Sequence, residues 1–381
     1  MKHIRQTGFS LIELMIAILL AAITAIVVLN VLTTYQARAN TTTGRNDAEI
    51  GAAMGMYALE QEIRMAGAGL SLPLSTGANG PMCGQGVNIA WKNAATTNGN
   101  GAPLLPIRII DGGSGPDSLE MIRSDSDFGA APTRLIAAMA DATAQLSVDG
   151  KAGLQNGDLI LVGASNAAKI CTLMQLSVAP TANGSGWLLS HAAGGTNYYN
   201  PSSPGSVFTN AVAYDVGDNV VNMGSYGIRR YGLLCNDGAA QPSATNSCDL
   251  AWWNPLDLGT LPLPTVAGVS TVSPQLVELQ AQYGVADTGS SIVNAWVDAT
   301  GSWAAPSSTD LQRIKAVRIS IVSRGNREAT TVAQSSVTLW QDDPSDPTTA
   351  RVRTFGADEQ RFRYQVLTVV VPVINSIWSG S

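Results

Sequence analysis

From Phe9 to Leu32 the chain is one apolar run interrupted by a single formal charge, Glu13. The run exceeds the ~20 residues that carry an α-helix across a bilayer, so its pattern predicts a membrane-spanning helix. The polar stretch NTTTGRND follows. Beyond it Ile50, Met54, Tyr57 and Ile63 recur at three- to six-residue steps among Asp47, Glu49, Glu60, Glu62 and Arg64. This spacing predicts that the helix continues with one apolar face until AGAGLSLP, where Gly67, Gly69 and Pro73 stop it. Residues 9–66 are thus expected to form one helix roughly 85 Å long. Gly44, Gly51 and Gly55 mark either a bend or, more simply, close packing of its upper half against a head.

After residue 70 the period shortens. PIRIIDGGSGPDSLEMIRS (106–124) reads as two strands around a Gly-rich turn, with Ile107, Ile109, Leu119 and Met121 alternating. GDLILVGASNAAKICTLMQLSV (157–178) predicts a hairpin, and 219–235 two more short strands. Further strands are expected in 275–285, 314–324 and 361–375. The Gly/Asn/Ser/Pro tracts 75–102, 180–210 and 236–268 read as loops too polar to be core. The head is therefore either one β-rich domain with large loops or two small sheets sharing one core.

Composition agrees with a loop-rich β head: 13% of the 381 residues are charged, with 38 Gly and 18 Pro. The formal net charge of −6 offers no basic field for nucleic acid, and nucleic-acid binding is not expected. Four widely spaced cysteines behind a membrane-targeting segment point to disulfides. Of three connectivities, Cys235 with Cys248 is favoured because it closes a short Asn/Ser/Gly-rich loop, leaving Cys83 with Cys171. Buried free thiols are the alternative.

Lys2 and Arg5 precede the apolar run, which places the first eight residues in the cytoplasm by the positive-inside rule. A secretory signal has its small-residue cleavage site after the apolar core. Here the candidate junction, Gly8 to Phe9, lies before it. GFSLIELMIAILL resembles the class III signal of type IV pilins and type II secretion pseudopilins. The resemblance implies that a prepilin peptidase cuts after Gly8 and methylates the new amino terminus at Phe9. A carboxylate in hydrocarbon normally has a partner. Glu13 would find one in the Phe9 amine of a neighbouring subunit, its charge kept on methylation, and the pair would set the axial register of a filament.

The blocks GPDSLEMIRS, GDLILVG with AKICTLMQL, LVELQAQYGVADTGSSIVNAWVDA, IKAVRISIVSR and RYQVLTVVVPVIN occur in an order similar to that of PilW-type minor pilins. The resemblance covers most of the chain. It implies an α+β, type IV pilin-like fold: leader 1–8, transmembrane or filament-core helix 9–32, helix continuation 33–66 and a β-rich globular head 67–381. It also implies a minor pilin of the type IV pilus that joins other minor pilins and the major pilin in a tip or priming complex. There it would display a PilY-type tip adhesin and support adhesion and twitching motility. The chain would sit in the bacterial inner membrane with its head periplasmic, then in the pilus at the cell surface. A J-type pseudopilin of type II secretion and an adhesin whose loops 180–268 bind a surface or glycan directly are the competing expectations. The terminal block has Ile374 where the family usually carries arginine.

Little else points to chemistry, and neither catalysis nor a cofactor is expected. DTGSS (287–291) matches the active-site loop of aspartic proteases, but catalysis needs two such loops and the chain has one. His3 leaves with the leader, and His191 in LLSHAAGG reads as a surface residue rather than a general base. No HExxH, GxSxG, P-loop or zinc-ligand spacing occurs. The acidic clusters with Asp125 and Asp127, and with Asp342, Asp343 and Asp346, read as solvated turns more readily than as calcium ligands. Trp252 and Trp253 read as core beside Cys248, or else as an exposed adhesive patch.

Overall fold

The computed structural model describes residues 10–377 apart from 69, 74–78, 82, 84, 101–103, 128–131, 152, 166–168, 226, 237–241, 244–245, 247, 259–267, 327–331, 333 and 343–349. Gly8, Phe9, Asp343 and Asp346 thus lie outside the described residues.

One unbroken helix runs from Leu11 to Met65. It ends where Gly67 takes a left-handed backbone, φ 81°, a conformation open to glycine at little cost. The stripe that its upper half buries is Ala48, Gly51, Ala52, Gly55, Met56, Leu59, Ile63 and Ala66, spaced by one, three or four residues as a single face requires. This corrects the expected face. Ile50, Met54 and Tyr57 point outward and are 60%, 51% and 70% exposed, and only Ile63 of that set faces the head. The small residues win because they let the helix backbone approach the sheet. A side chain at Gly51 would crowd the Pro274 carbonyl, and one at Gly55 would touch Leu250, Leu276 and Ile321. Gly51 therefore serves close packing within one continuous helix, whereas Gly55 leaves room for a methyl group.

The sheet beneath has eight strands. Its order is Tyr364–Pro372, Ile314–Arg324, Ser270–Ala286, Cys248–Trp253, Ile228–Cys235, Ser118–Ile122 and Ile107–Ile110, with Val293–Val297 paired to the far half of Ser270–Ala286. Alternation assigns its faces. Leu279, Ala281, Tyr283, Val317, Ile319 and Ile321 join Met56, Leu59 and Ile63 in one core. Fully burying each of the larger of these side chains contributes about 1.5–3 kcal/mol. Glu278, Gln280, Gln282, Arg318 and Ser320, also buried, occupy intervening positions on the two central strands. There the hairpin of Ser336–Gln341 and Ala350–Thr354 brings Arg353 to Glu278 and Arg351 to Gln280, whereas Gln282 donates to Asp298 and Ser320 shares a hydrogen bond with Thr368. Arg318 lies 4.7 Å from the rings of both Trp296 and Trp340 and donates to Gln282 and to Asp342.

A second, six-stranded sheet has the order Ala94–Asn100, Val87–Trp91, Cys171–Gln175, Leu159–Gly163, Asn219–Gly224 and Pro132–Arg134. Its faces belong to different clusters: Leu159 and Leu161 pack with Val87, Ile89 and Val221, whereas Ile160 and Val162 pack with Leu146, Leu176 and Tyr214. Neither cluster includes a residue of the long helix. The two largest sheets of the head thus have distinct main clusters, which meet where Ile122 and Ile228 of the eight-stranded sheet pack with Leu159, Leu161 and Val221.

Three tracts expected to be loops carry structure. Residues 75–102 contain Val87–Trp91 and Ala94–Asn100, 236–268 contains the central strand Cys248–Trp253, and 180–210 buries Leu189, Tyr199, Asn200 and Phe208. Their glycines and asparagines mask short strands whose order comes from neighbouring strands. The two strands expected in 219–235 exist, but they join different sheets.

Candidate assembly site on the amino-terminal helix

The helix has two regimes. Every described residue from Ser10 to Gln36 is exposed, including Leu11, Ile12, Met15, Leu19, Ile26 and Leu32. Twenty-odd apolar side chains without protein contacts are incompatible with water, and the helix is long and apolar enough to cross a membrane. Its polar groups are provided for locally. The Thr24 hydroxyl donates to the carbonyl oxygens of Leu20 and Ala21 at 3.0 and 2.9 Å, so it adds no unmet donor in hydrocarbon. Glu13 sits in the first turn, where the positive end of the helix dipole favours a carboxylate.

The upper half is held by polar contacts as well as by the core. The Ser273 hydroxyl donates to the Gly51 carbonyl at 2.7 Å, and that of Ser323 donates to the Ala48 carbonyl. Both bonds require the small residues on the helix face. Asn375 Nδ2 donates to the Ala66 carbonyl at 2.9 Å, which satisfies one of the free acceptors at the helix end. Glu62 accepts from Arg123 at 3.0 Å and from Arg229 at 3.1 Å, and Arg229 also reaches Asp125 at 3.4 Å. Burial first, and then the Glu62 charge, push the Tyr231 hydroxyl up to about 12. None of Glu62, Ser273, Ser323 and Asn375 was singled out by sequence as a contact. A serine or asparagine in a β run carries no pattern that says it will meet a helix carbonyl.

The other candidates fall outside this site. Asp287 is exposed in the turn after Ser270–Ala286, where Ser290 N donates to its carbonyl. His191 is half-buried, not a surface residue: its Nε2 is 2.7 Å from the Ala144 carbonyl, and burial holds its pKa below the usual histidine range. Asp125 pairs with Arg229 and Asp342 with Arg318. No group of three or more His, Cys, Asp or Glu among the described residues is placed to hold a metal. Trp253 is fully buried, and Trp252 is half-buried with the Arg229 guanidinium 4.8 Å from its ring. Cys83 is bonded to Cys171, and Cys235 to Cys248 across adjacent strands.

Residues 4–29 match the family model described as the prokaryotic N-terminal methylation motif, and residues 265–375 match that of Type IV Pilus-assembly protein W. The second match runs along the three strands on which the helix packs and takes in Ser273, Ser323 and Asn375. No curated protein and no solved structure matches the chain.

Proposed function

Because the chain is a pilin-like protein of the PilW type, related to type IV pili, we propose that it is a structural, non-catalytic minor pilin. Prepilin peptidase cleaves after Gly8, Phe9 becomes the methylated amino terminus, and residues 9–32 hold the subunit in the inner membrane with its head in the periplasm. Assembly then transfers this helix from lipid to a bundle of other minor pilins and the major pilin. There Glu13 pairs with the Phe9 amine of a neighbour. The outward side chains Ile50, Met54 and Tyr57 extend the apolar contact above the membrane.

One observation carries this reading. A matched methylation motif overlaps the start of a helix whose first 22 residues are all exposed and pack on no other described part of the chain. Side chains of this kind need lipid or other helices, and a filament core supplies the second after the first is left. A head of some 310 residues favours a rare place at the tip, where it does not crowd copies of itself.

Deleting the gene and counting surface pili by electron microscopy, with exoenzyme secretion assayed in parallel, tests the proposal. Pili and twitching should be lost, secretion should persist, and the wild-type gene should restore the pili. Normal pili with abolished secretion would instead indicate a J-type pseudopilin.

A further inference from the structure

At one edge of the six-stranded sheet, the hairpin of Val87–Trp91 and Ala94–Asn100 turns at Lys92 and Asn93. Both residues take a left-handed backbone, φ 51° and 66°. Opposite them runs the segment SHAAGGTNYYNPSSPG (190–205), rich in the Tyr, Ser, Gly and Asn that give binding loops rigid aromatic anchors and adaptable polar contacts. Lys92 N donates to the Tyr198 carbonyl, and Asn93 Oδ1 accepts from Ser202 N and Oγ at 3.1 and 3.3 Å. The two segments are thus held together, and between them lies an open cleft of about 170 Å³.

The cleft combines three features. Trp91 meets Tyr198 and Tyr199 edge-on, each at 5.1 Å between ring centroids, and Tyr198, which lines the cleft, is 38% exposed. Polar groups surround this ring: Lys92, Asn93, Asn197 and the buried Asn200, whose amide is fixed by bonds to Gln175 and Ala192. Gly194 and Gly195 form a wall of bare backbone, where an added side chain would meet nothing. The volume is well below the roughly 300–1,000 Å³ of sites for drug-sized ligands, so it suits one ring rather than an extended cofactor. Lys92 Nζ lies 5.1 Å from the centroid of the Tyr198 ring and 3.8 Å from Asp257, a half-exposed pair that offsets part of its charge.

We propose that this cleft binds a neutral pyranose unit of a glycan. Its C–H face would lie against Tyr198 beside the Lys92 ammonium, and its hydroxyls would exchange hydrogen bonds with Lys92, Asn93 and Asn197. The site goes beyond the assembly role and does not depend on it, since either can fail alone.

Saturation-transfer NMR on the full chain in a sugar-free zwitterionic detergent tests this against glucose, galactose, mannose, N-acetylglucosamine and their disaccharides. At least one sugar should receive saturation at its ring protons. Tyr198→Ala should weaken binding about tenfold, the loss of roughly one aromatic contact. Gly195→Asn, which fills the cleft with a residue tolerant of left-handed backbone, should do the same at an unchanged melting temperature. No transfer to any sugar in the panel, or transfer that Gly195→Asn leaves intact, overturns the proposal.

Discussion

Glu13 and Asp117 are carboxylates placed where charge is costly, and they face opposite consequences. Glu13 lies among exposed apolar side chains, and its proposed partner is the Phe9 amine of another subunit. Removing one member of a buried ion pair costs about 3–5 kcal/mol. Glu13→Ala should therefore leave cleavage after Gly8 intact while strongly reducing the subunit in sheared pili, as read by immunoblot. Wild-type incorporation would remove the pairing role. Asp117 is buried within its own head: its Oδ1 accepts from Gly112 N at 2.9 Å and its Oδ2 from Ala281 N at 2.8 Å. Burial nevertheless outweighs these bonds and pushes the carboxyl up to about 7. A folded pKa above the unfolded value of about 3.9 means that the native state holds the proton more tightly. The resulting stability is complete below about pH 4 and is lost as pH rises through 7, by up to about 1.4 kcal/mol per pH unit. Asp117→Asn should flatten the urea midpoint between pH 5 and pH 8, and an unchanged slope would assign the titration elsewhere.

At the level of elements, the helix and sheet fit through two glycine contacts of opposite tolerance. An added Cβ at Gly55 would meet methyl groups at 3.4 and 3.5 Å, whereas one at Gly325 would collide with the Gly44 carbonyl. Gly55→Ala should thus be neutral or stabilising, by up to about 1 kcal/mol from helix propensity. Gly325→Ala should cost about 1–3 kcal/mol through overpacking. Melting temperatures of the two variants check the pair, and equal shifts would show that the interface is looser than drawn. The same interface shows what was legible in advance. The apolar run and the breakers Gly67 and Pro73 placed the long helix, and Ile314–Arg324 stands where alternation put it. The buried face of the helix was missed because hydrophobicity picked out Ile50, Met54 and Tyr57, while the fold needed Ala48, Gly51, Ala52 and Gly55 for close approach. Cys248–Trp253 was missed because one short strand inside a polar tract has no period long enough to stand out. The helix contacts of Ser273, Ser323 and Asn375 depend on residues more than two hundred positions away, which local pattern cannot carry.

At the scale of the whole molecule, the two largest sheets differ in what they hold. The eight-stranded sheet grips the helix, and the span matched to Type IV Pilus-assembly protein W supplies the strands that do so. The six-stranded sheet encloses separate cores, carries the Cys83–Cys171 bond and bears the Lys92–Tyr198 cleft. On the proposed reading, the first serves assembly and the second bears the candidate sugar site. The proposed filament use requires the helix to be released from its leader, because Glu13 has its proposed partner only when Phe9 becomes an amino terminus. Mass spectrometry of the amino-terminal peptide, from cells with active prepilin peptidase, tests that requirement most directly. The account predicts a mature chain beginning at N-methylated Phe9; an intact leader with Met1 still attached would contradict it.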